Sequence, residues 1–247
     1  MMDRNAQSCP LYTAAQVREL DRLAIADAGI PGFTLMTRAG EACWAVLRTH
    51  WPETRSMTVF CGAGNNGGDG FVIARLALEK HWQVQLYQLG EQSRMQADAQ
   101  QACAAFISAG GQVQPYTPGA PLAGEVIVDA LLGTGVDRPL EGLWRAAIDA
   151  INATAIPVLA VDIPSGLQSD SGAVAGAAVQ ADQTVTFIGR KAGLYTGAAA
   201  DYCGDISFVD LGVPGDILRR VPVAARLLRQ ADLGPLATPR LLSAHKG

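Results

Sequence analysis

The sequence has no excess of basic residues, and this argues against a nucleic-acid-binding surface. Its 247 residues include 19 lysines and arginines against 23 aspartates and glutamates, which gives a net charge of −4 and a pI near 5.3. A nucleic-acid-binding domain typically has a basic patch and a high pI. We therefore expect no nucleic-acid partner.

Cysteines are also few and lack the spacing of a structural site. The five are scattered, odd in number and include no CxxC pair, so neither a disulfide framework nor a zinc site is indicated. No apolar run is long enough to span a bilayer, and the amino-terminal stretch MMDRNAQSCP lacks the pattern of a signal peptide. These absences predict a reduced, cytoplasmic protein without a membrane partner, and an apolar content of 49% is enough for a sizeable core.

What the sequence has in abundance is glycine, concentrated in residues 57–71, MTVFCGAGNNGGDGF. The apolar start of this stretch predicts a buried strand, and the apolar residues after it recur at helical spacing. Strand, glycine-rich turn and helix open many nucleotide-binding α/β folds, where glycines permit φ > 0 and bring backbone N–H groups close to a phosphate. A tight turn alone does not need Asn65, Asn66 and Asp69, so we expect these side chains to face a ligand.

Strands and helices alternate along the rest of the chain. This alternation predicts an α/β fold with a mostly parallel, doubly wound sheet. We predict strands at 83–89, 112–116 (an edge strand), 125–132, 156–161, 182–188 and 205–209, and helices at 13–28, 32–50, 72–80, 95–109 and 140–151.

Polar loops follow three of the predicted strands, at 62–70, 133–139 and 162–166. Ligands of doubly wound sheets bind beyond the carboxyl ends of the strands, so we expect the three loops to converge on one site. The first two helices either only cover the sheet or, through residues 35–36 and 38–40, contribute to a ligand pocket or a dimer contact.

Taken together, these loops make the sequence resemble the NAD(P)H-hydrate epimerases, the YjeF N-terminal domain family. The resemblance covers nearly the whole chain and rests on YTAAQVRELDRLAI, LMTRAG, CGAGNNGGDGFVIARLA, VDALLGTG, AVDIPSGL, ADQTVTFIGRKAGLYTG and GDISFVDLGVP. It implies a Rossmann-like three-layer αβα sandwich, commonly a homodimer, with a bound potassium ion. Family members convert the R epimer of hydrated NADH or NADPH into the S epimer, from which an ATP- or ADP-dependent dehydratase restores the cofactor.

The resemblance also implies roles for particular residues. Asn66, Asp129 and Ser165 would provide oxygen ligands to potassium, and Asp162 would contact the altered ring. Residues 136–139 lie in a variable part of the second loop, so their individual roles stay open. The residues implied to bind the substrate are Asn65, Asn66, Gly67, Gly68, Asp69, Gly133, Thr134, Gly135, Val136, Asp137, Arg138, Pro139 and Asp162.

Such a reaction needs one positioned acid or base. The hydrated ring carries a hydroxyl next to nitrogen, which inverts either through loss and return of hydroxide or through ring opening to an aldehyde and reclosure. Both routes move a proton on or off the hydroxyl oxygen. We interpret Asp162 as the catalytic group, with a simple cap of the turn before Pro164 as the alternative. Lys191 assists proton transfer or meets a phosphate, or else it is a solvated lysine after a strand.

Other classes of protein fit these motifs less well. A nicotinamide-dependent dehydrogenase needs an acidic residue about twenty positions after the glycines, for which Glu91 is the only loose candidate. A serine hydrolase needs a base for Ser165, yet no histidine lies in a motif-bearing loop. A non-catalytic nucleotide-binding or interaction module of the same fold stays open as the alternative function.

The pattern of sheet residues stops after Pro214. We predict an epimerase domain at 1–215 and a connector at 216–247 toward a carboxy-terminal dehydratase domain. The chain would then be the amino-terminal part of a bifunctional repair enzyme, and a complete stand-alone epimerase with a polar tail is the alternative.

Overall fold

The computed structural model describes residues 9–136 and 138–228. Asp137 and the last part of the predicted connector, 229–247, lie outside the described residues. The strands are β1 (Cys9–Tyr12), β2 (Ser56–Cys61), β3 (Gln83–Gln88), β4 (Val113–Pro115), β5 (Val126–Ala130), β6 (Val158–Val161), β7 (Gln183–Phe187), β8 (Arg190–Lys191), β9 (Asp205–Val209) and β10 (Ala225–Leu227). The α-helices are α1 (Ala14–Ala26), α2 (Gly32–His50), α3 (Asn65–Glu79), α4 (Ala97–Ser108), α5 (Gly142–Asn152), α6 (Ala199–Tyr202) and α7 (Gly215–Arg220).

A seven-stranded sheet forms the centre of the fold, with the strand order β4-β3-β2-β5-β6-β7-β9. Every pairing in it is parallel, which confirms the doubly wound prediction. Strand β2 pairs with β3 on one side and with β5 on the other, so the direction of winding reverses between β2 and β5. This reversal opens a crevice at the carboxyl ends of the strands, where such folds bind their ligands.

Helices cover both faces of the sheet and complete a Rossmann-like three-layer sandwich. Because strand residues alternate between faces, Met57, Val59 and Cys61 pack into the core formed with α1 to α4. Phe60 points the other way and packs in the core that includes Ile148 of α5. The sheet is therefore buried on both faces, as the apolar runs in its strands predicted.

Helices α1 and α2 follow their sequence signals closely. Helix α1 begins with a capping box, in which the Thr13 hydroxyl accepts from the Gln16 amide and the Gln16 side chain accepts from the Thr13 amide. Helix α2 has the predicted bounds. None of the helices in the described part of the chain is long and apolar enough to cross a membrane.

A second, three-stranded sheet was not predicted, and it has the order β10-β1-β8. Strand β1 runs parallel to β8, with Tyr12 opposite Lys191, and antiparallel to β10. Strand β10 and helix α7 belong to the described part of the predicted connector, and Ile217 of α7 is buried in the main core. Residues up to Leu227 thus pack on the domain, and the domain boundary itself stays a prediction.

Candidate active site

A cavity of about 1370 Å³ opens at the carboxyl ends of the parallel strands. It lies at the reversal between β2 and β5, where loops from several strands meet. The predicted site residues that line it are Asn65, Asn66, Asp69, Gly133, Thr134, Gly135, Val136, Arg138, Pro139, Asp162 and Lys191. The three polar loops therefore converge, as expected from the sequence.

The glycine-rich segment differs from its sequence-based prediction. Helix α3 begins at Asn65, seven residues before the predicted start at Val72, and none of the five glycines in this segment has a positive φ. A Cβ on Gly67 would lie 2.0 Å from the Gly62 carbonyl oxygen, and one on Gly68 would lie 2.5 Å from the Met36 side chain. These glycines permit close packing rather than a left-handed turn, and Gly67 and Gly68 do not line the cavity.

The first turn of α3 faces the cavity through Asn65 and Asn66. Amide groups in the first turn of a helix have no partner within the helix and carry a partial positive charge. Close packing of Gly67 on Gly62 holds this turn against the end of β2. The arrangement suits an anionic group of a ligand, such as a phosphate.

Asp129 and Ser165 form a buried pair that joins the ends of β5 and β6. The pair is hydrogen-bonded to Leu131 and Leu132, which line the cavity. Both residues are fully buried. The Asp129 carboxylate accepts hydrogen bonds from the Ser165 hydroxyl at 2.6 Å, the Ser165 amide at 2.8 Å and the Leu131 amide at 3.2 Å. Burial raises the pKa of Asp129 to about 6, although its hydrogen bonds with Ser165 and Leu131 oppose the shift. All of these donors are neutral, so none balances the charge of the carboxylate.

Asn66 lies beside the second loop and has unused polar atoms. Both its Oδ1 and its Nδ2 are buried and lack a hydrogen-bond partner in the described part of the chain. A Cβ on Gly133 would lie 3.5 Å from the Asn66 Cβ, so the two loops are in contact here. An orphaned buried amide calls for a ligand or ion that supplies the missing interaction.

Asp162 and Lys191 form an ion pair in the wall of the cavity. The Lys191 Nζ donates to the Asp162 carboxylate, to the Thr186 hydroxyl at 3.1 Å and to the Phe187 carbonyl at 3.1 Å. Its side chain is only 1% exposed, so the alternative of a solvated lysine is wrong. Lys191 belongs to β8, where it lies opposite Tyr12 of β1.

The backbone at Asp162 is left-handed, with a φ of 68°. This conformation is uncommon for a residue other than glycine, although aspartate and asparagine tolerate it better than most. The Asp162 carboxylate also accepts from the Thr186 hydroxyl and the Phe187 amide at 3.4 Å each. The turn thus directs the carboxylate toward the end of β7 and Lys191.

Asp21 and Asp69 are among the other carboxyl groups that line this cavity. Burial, together with the charges of Asp162 and Asp21, raises the pKa of Asp69 well above its usual range, and Lys191 opposes the shift. Burial and the Asp162 charge also raise the pKa of Asp21, which lines the cavity from α1. Asp21 was not among the predicted site residues, yet a charged residue four positions after Val17 and three before Ala24, on the apolar side of α1, was a usable signal.

The fold and this cavity define the class of protein as a doubly wound α/β domain with a large cavity at its topological switch point. Comparisons with known proteins identify the family within that class. The family described as YjeF-related protein N-terminus matches residues 32–193. The chain therefore belongs to this family.

Relatives at the sequence level carry two kinds of name. A bifunctional NAD(P)H-hydrate repair enzyme from Coxiella burnetii is 44% identical over 237 residues, which cover 96% of this chain and 48% of the relative. An NAD(P)H-hydrate epimerase from Limosilactobacillus fermentum is 40% identical over 199 residues, which cover 80% of this chain and 95% of the relative. The chain thus spans about half the length of the bifunctional relative and nearly all of the epimerase.

A solved structure shows the same fold. The crystal structure of the yeast protein ynu0 superposes with a TM-score of 0.74 at 19% identity and covers 89% of this chain and 95% of the yeast chain. At this identity the likeness establishes the fold alone.

Proposed function

We propose that this chain epimerises the R and S forms of hydrated NADH and NADPH, as an isomerase of metabolite repair. The observation that carries the proposal is the Asp162–Lys191 ion pair in the wall of a dinucleotide-sized cavity. The names of the relatives support it, because both include NAD(P)H-hydrate. A non-catalytic binding module is less well supported, since it would not need a carboxylate held by a buried lysine.

The ion pair suits the chemistry of a hydrated nicotinamide ring. Asp162 exchanges a proton with the ring hydroxyl, and its negative charge stabilises positive charge that develops on the ring if hydroxide leaves. Lys191 positions the carboxylate through its other two hydrogen bonds, to Thr186 and Phe187. Neither role requires a nucleophile or a redox group in the protein.

The rest of the substrate occupies the part of the cavity formed by the two polar loops. We assign the phosphates to the first turn of α3, with Asn65 and Asn66, and to residues 133–139. Asp69 also lines this part of the cavity, and we assign its carboxyl group a contact with a polar group of the substrate. Asp137 belongs to this proposed contact set by resemblance alone.

A potassium ion fits the residues proposed to bind it. Asn66 has an orphaned buried oxygen, and Asp129 is a buried carboxylate whose charge its neutral donors do not balance. With the Ser165 hydroxyl they would provide an oxygen set with a single carboxylate, which suits a hard cation of low charge. Asn66, Asp129 and Ser165 would hold the ion. The ion would compensate the negative charge of the Asp129 carboxylate.

The setting of the domain is also part of the proposal. We propose a homodimer and, because the chain spans about half of the bifunctional relatives, a dehydratase domain as the partner that consumes the S epimer. We also propose a cytoplasmic location, since none of the five cysteines, all buried in the described part of the chain, forms a disulfide.

The experiment that tests this function follows the two epimers by chromatography. Purified protein is added to the isolated R-hydrate of NADH or NADPH without any external redox cofactor. We expect faster equilibration with the S-hydrate than in buffer, and no regeneration of the reduced dinucleotide even with ATP or ADP. Binding of the hydrates without any change in the equilibration rate would support the binding module instead.

A further inference from the structure

The cavity extends from the Asp162–Lys191 pair to a second group of charges, Glu91 and Arg94, which also line it. Both residues follow β3, and Arg94 ends a short 3₁₀ helix, Gln92–Arg94. They are distant in sequence from every residue assigned above. The proposed function gives them no role.

Their place in the fold is specific. Strand β3 pairs with β2 so that Gln88 lies opposite Cys61, and the Leu89 amide donates to the Cys61 carbonyl at 2.9 Å. The loop after β3 therefore lies beside the loop that leads into α3. In dinucleotide-binding domains with this strand order, an acidic residue at the end of the strand that corresponds to β3 accepts a hydrogen bond from the ribose 2′-hydroxyl. A nearby arginine there accommodates a 2′-phosphate.

The surroundings of this loop suit the adenosine half of a dinucleotide. Gly90 has a φ of 86°, and a Cβ placed there would lie 3.6 Å from the Trp144 indole ring and 3.5 Å from Ala63. Trp144, Ala63 and Gly90 all line the cavity. They give this end an apolar wall beside the two charges.

Glu91 and Arg94 form an exposed ion pair that a ligand can replace. The Arg94 Nε lies 3.3 Å from the Glu91 Oε2, and the two side chains are 78% and 71% exposed. An ion pair this exposed contributes little to stability. A guanidinium can therefore leave it for a phosphate, which it binds in a bidentate, charge-assisted manner, and the carboxylate can accept from ribose hydroxyls.

We propose that Glu91 and Arg94 select the adenosine ribose, with Arg94 binding the 2′-phosphate of hydrated NADPH and Glu91 binding the free 2′-hydroxyl of hydrated NADH. The two charges lie on one loop, so the same site accepts both substrates. The proposal rests on the proposed function, because it takes the bound molecule to be a hydrated dinucleotide with its ring at Asp162.

Binding of fragments that lack the ring tests this selection independently of catalysis. The affinities of ADP-ribose and 2′-phospho-ADP-ribose are measured by calorimetry for the wild type and the variants Arg94→Gln, Glu91→Gln and Arg75→Gln. Arg75 is a matched control because its ion pair with Glu79 lies on α3 and does not line the cavity. The same variants are then assayed with the two hydrates.

Arg94→Gln should lower the preference for the 2′-phosphate, measured as the ratio of the two affinities, by about 10- to 100-fold. Glu91→Gln should shift the ratio the other way by about 5- to 10-fold, and Arg75→Gln should leave it unchanged. The selection would be overturned if Arg94→Gln and Glu91→Gln leave the ratio of the two affinities unchanged. It would also be overturned if the wild type binds neither probe. If the variants epimerise both hydrates and their affinity ratios are unchanged, this inference is rejected and the proposed function is kept. If the affinity ratios shift but the protein epimerises neither hydrate, the proposed function is rejected and the selection of the ribose is kept.

Discussion

At the scale of single residues, the central feature is a buried lysine whose ammonium group donates three hydrogen bonds. An unpaired ammonium group is costly to bury, and Lys191 avoids the cost by donating to Asp162, Thr186 and Phe187. In return it fixes the position of a carboxylate that stays accessible from the cavity, since the Asp162 side chain is 16% exposed. A rigid carboxylate at a fixed distance from the substrate is what proton transfer requires.

Replacing Asp162 by asparagine should remove proton transfer and keep the local structure. Asparagine tolerates the left-handed backbone, so the variant should fold, with some loss of stability because Lys191 loses its counter-charge. We expect the epimerisation rate constant to fall about 10²- to 10⁴-fold. Asp149→Asn, on the exposed side of α5, should retain the wild-type rate.

This prediction is checked by kcat and KM for both variants, with circular dichroism to confirm folding. A near-normal kcat with a raised KM would make Asp162 a binding residue rather than the acid or base.

The buried Asp129–Ser165 pair carries a second prediction at this scale. If potassium binds there, the ion stabilises the folded state, because it binds the native protein and not the unfolded chain. Potassium chloride should raise the melting temperature of the wild type more than choline chloride at equal ionic strength. Asp129→Asn should abolish this difference, whereas Asp201→Asn, at an exposed position, should preserve it. Equal potassium-specific shifts in Asp129→Asn and the wild type would place the ion elsewhere.

At the scale of elements, α3 shows how glycine can favour a helix in a crowded fold. Glycine is normally a poor helix residue, yet Gly67, Gly68 and Gly70 lie in the first two turns of α3. They allow the helix to approach the ends of β2 and β5 so closely that a Cβ on Gly70 would lie 2.7 Å from both Ala130 and Cys61. This approach places the amide groups of the first turn at the cavity.

Gly67→Ala tests this explanation because intrinsic propensity and packing predict opposite effects. Alanine would favour the isolated helix by about 1 kcal/mol. The clash with the Gly62 carbonyl should nevertheless lower the free energy of unfolding by about 1–3 kcal/mol, measured by urea denaturation. Gly135→Ala, where a Cβ would meet nothing within 4 Å, should change it by less than about 0.5 kcal/mol. A stabilised Gly67→Ala variant would contradict the role of close packing.

At the scale of the whole molecule, the two ends of the described chain meet in the second sheet. Strand β1 from the amino-terminal end lies between β8 and β10, and α7 packs against α1. The segment that was predicted to be a connector therefore covers part of the domain, at least to Leu227. The same sheet holds Lys191, so its integrity bears on the candidate active site.

Ile217→Ala measures how far the domain depends on this segment. Ile217 is 3% exposed and belongs to the main core, so its truncation should lower the free energy of unfolding by about 2–4 kcal/mol. Leu228→Ala, at a position 60% exposed, should change it by less than about 0.5 kcal/mol. Equal small effects of the two substitutions would show that α7 is only loosely attached to the domain.

Much of this molecule was determined by its sequence alone. The strands of the main sheet and the helices α1, α2, α4 and α5 follow from apolar runs, periodic apolar patterns and the turn residues between them. The convergence of the three polar loops follows in turn, since the carboxyl ends of parallel strands share one edge of a sheet. The motifs of those loops were specific enough to identify the family.

Only the tertiary structure decided the rest. Strands β1, β8 and β10 have four, two and three residues, and they form because segments distant in sequence pair with one another. Lys191 is buried rather than solvated because that pairing and the carboxylate of Asp162, 29 positions earlier, surround it. The glycines of α3 leave room for Gly62, Met36 and Ala130, which lie too close for a Cβ, and such contacts between distant residues leave no periodic trace in the sequence.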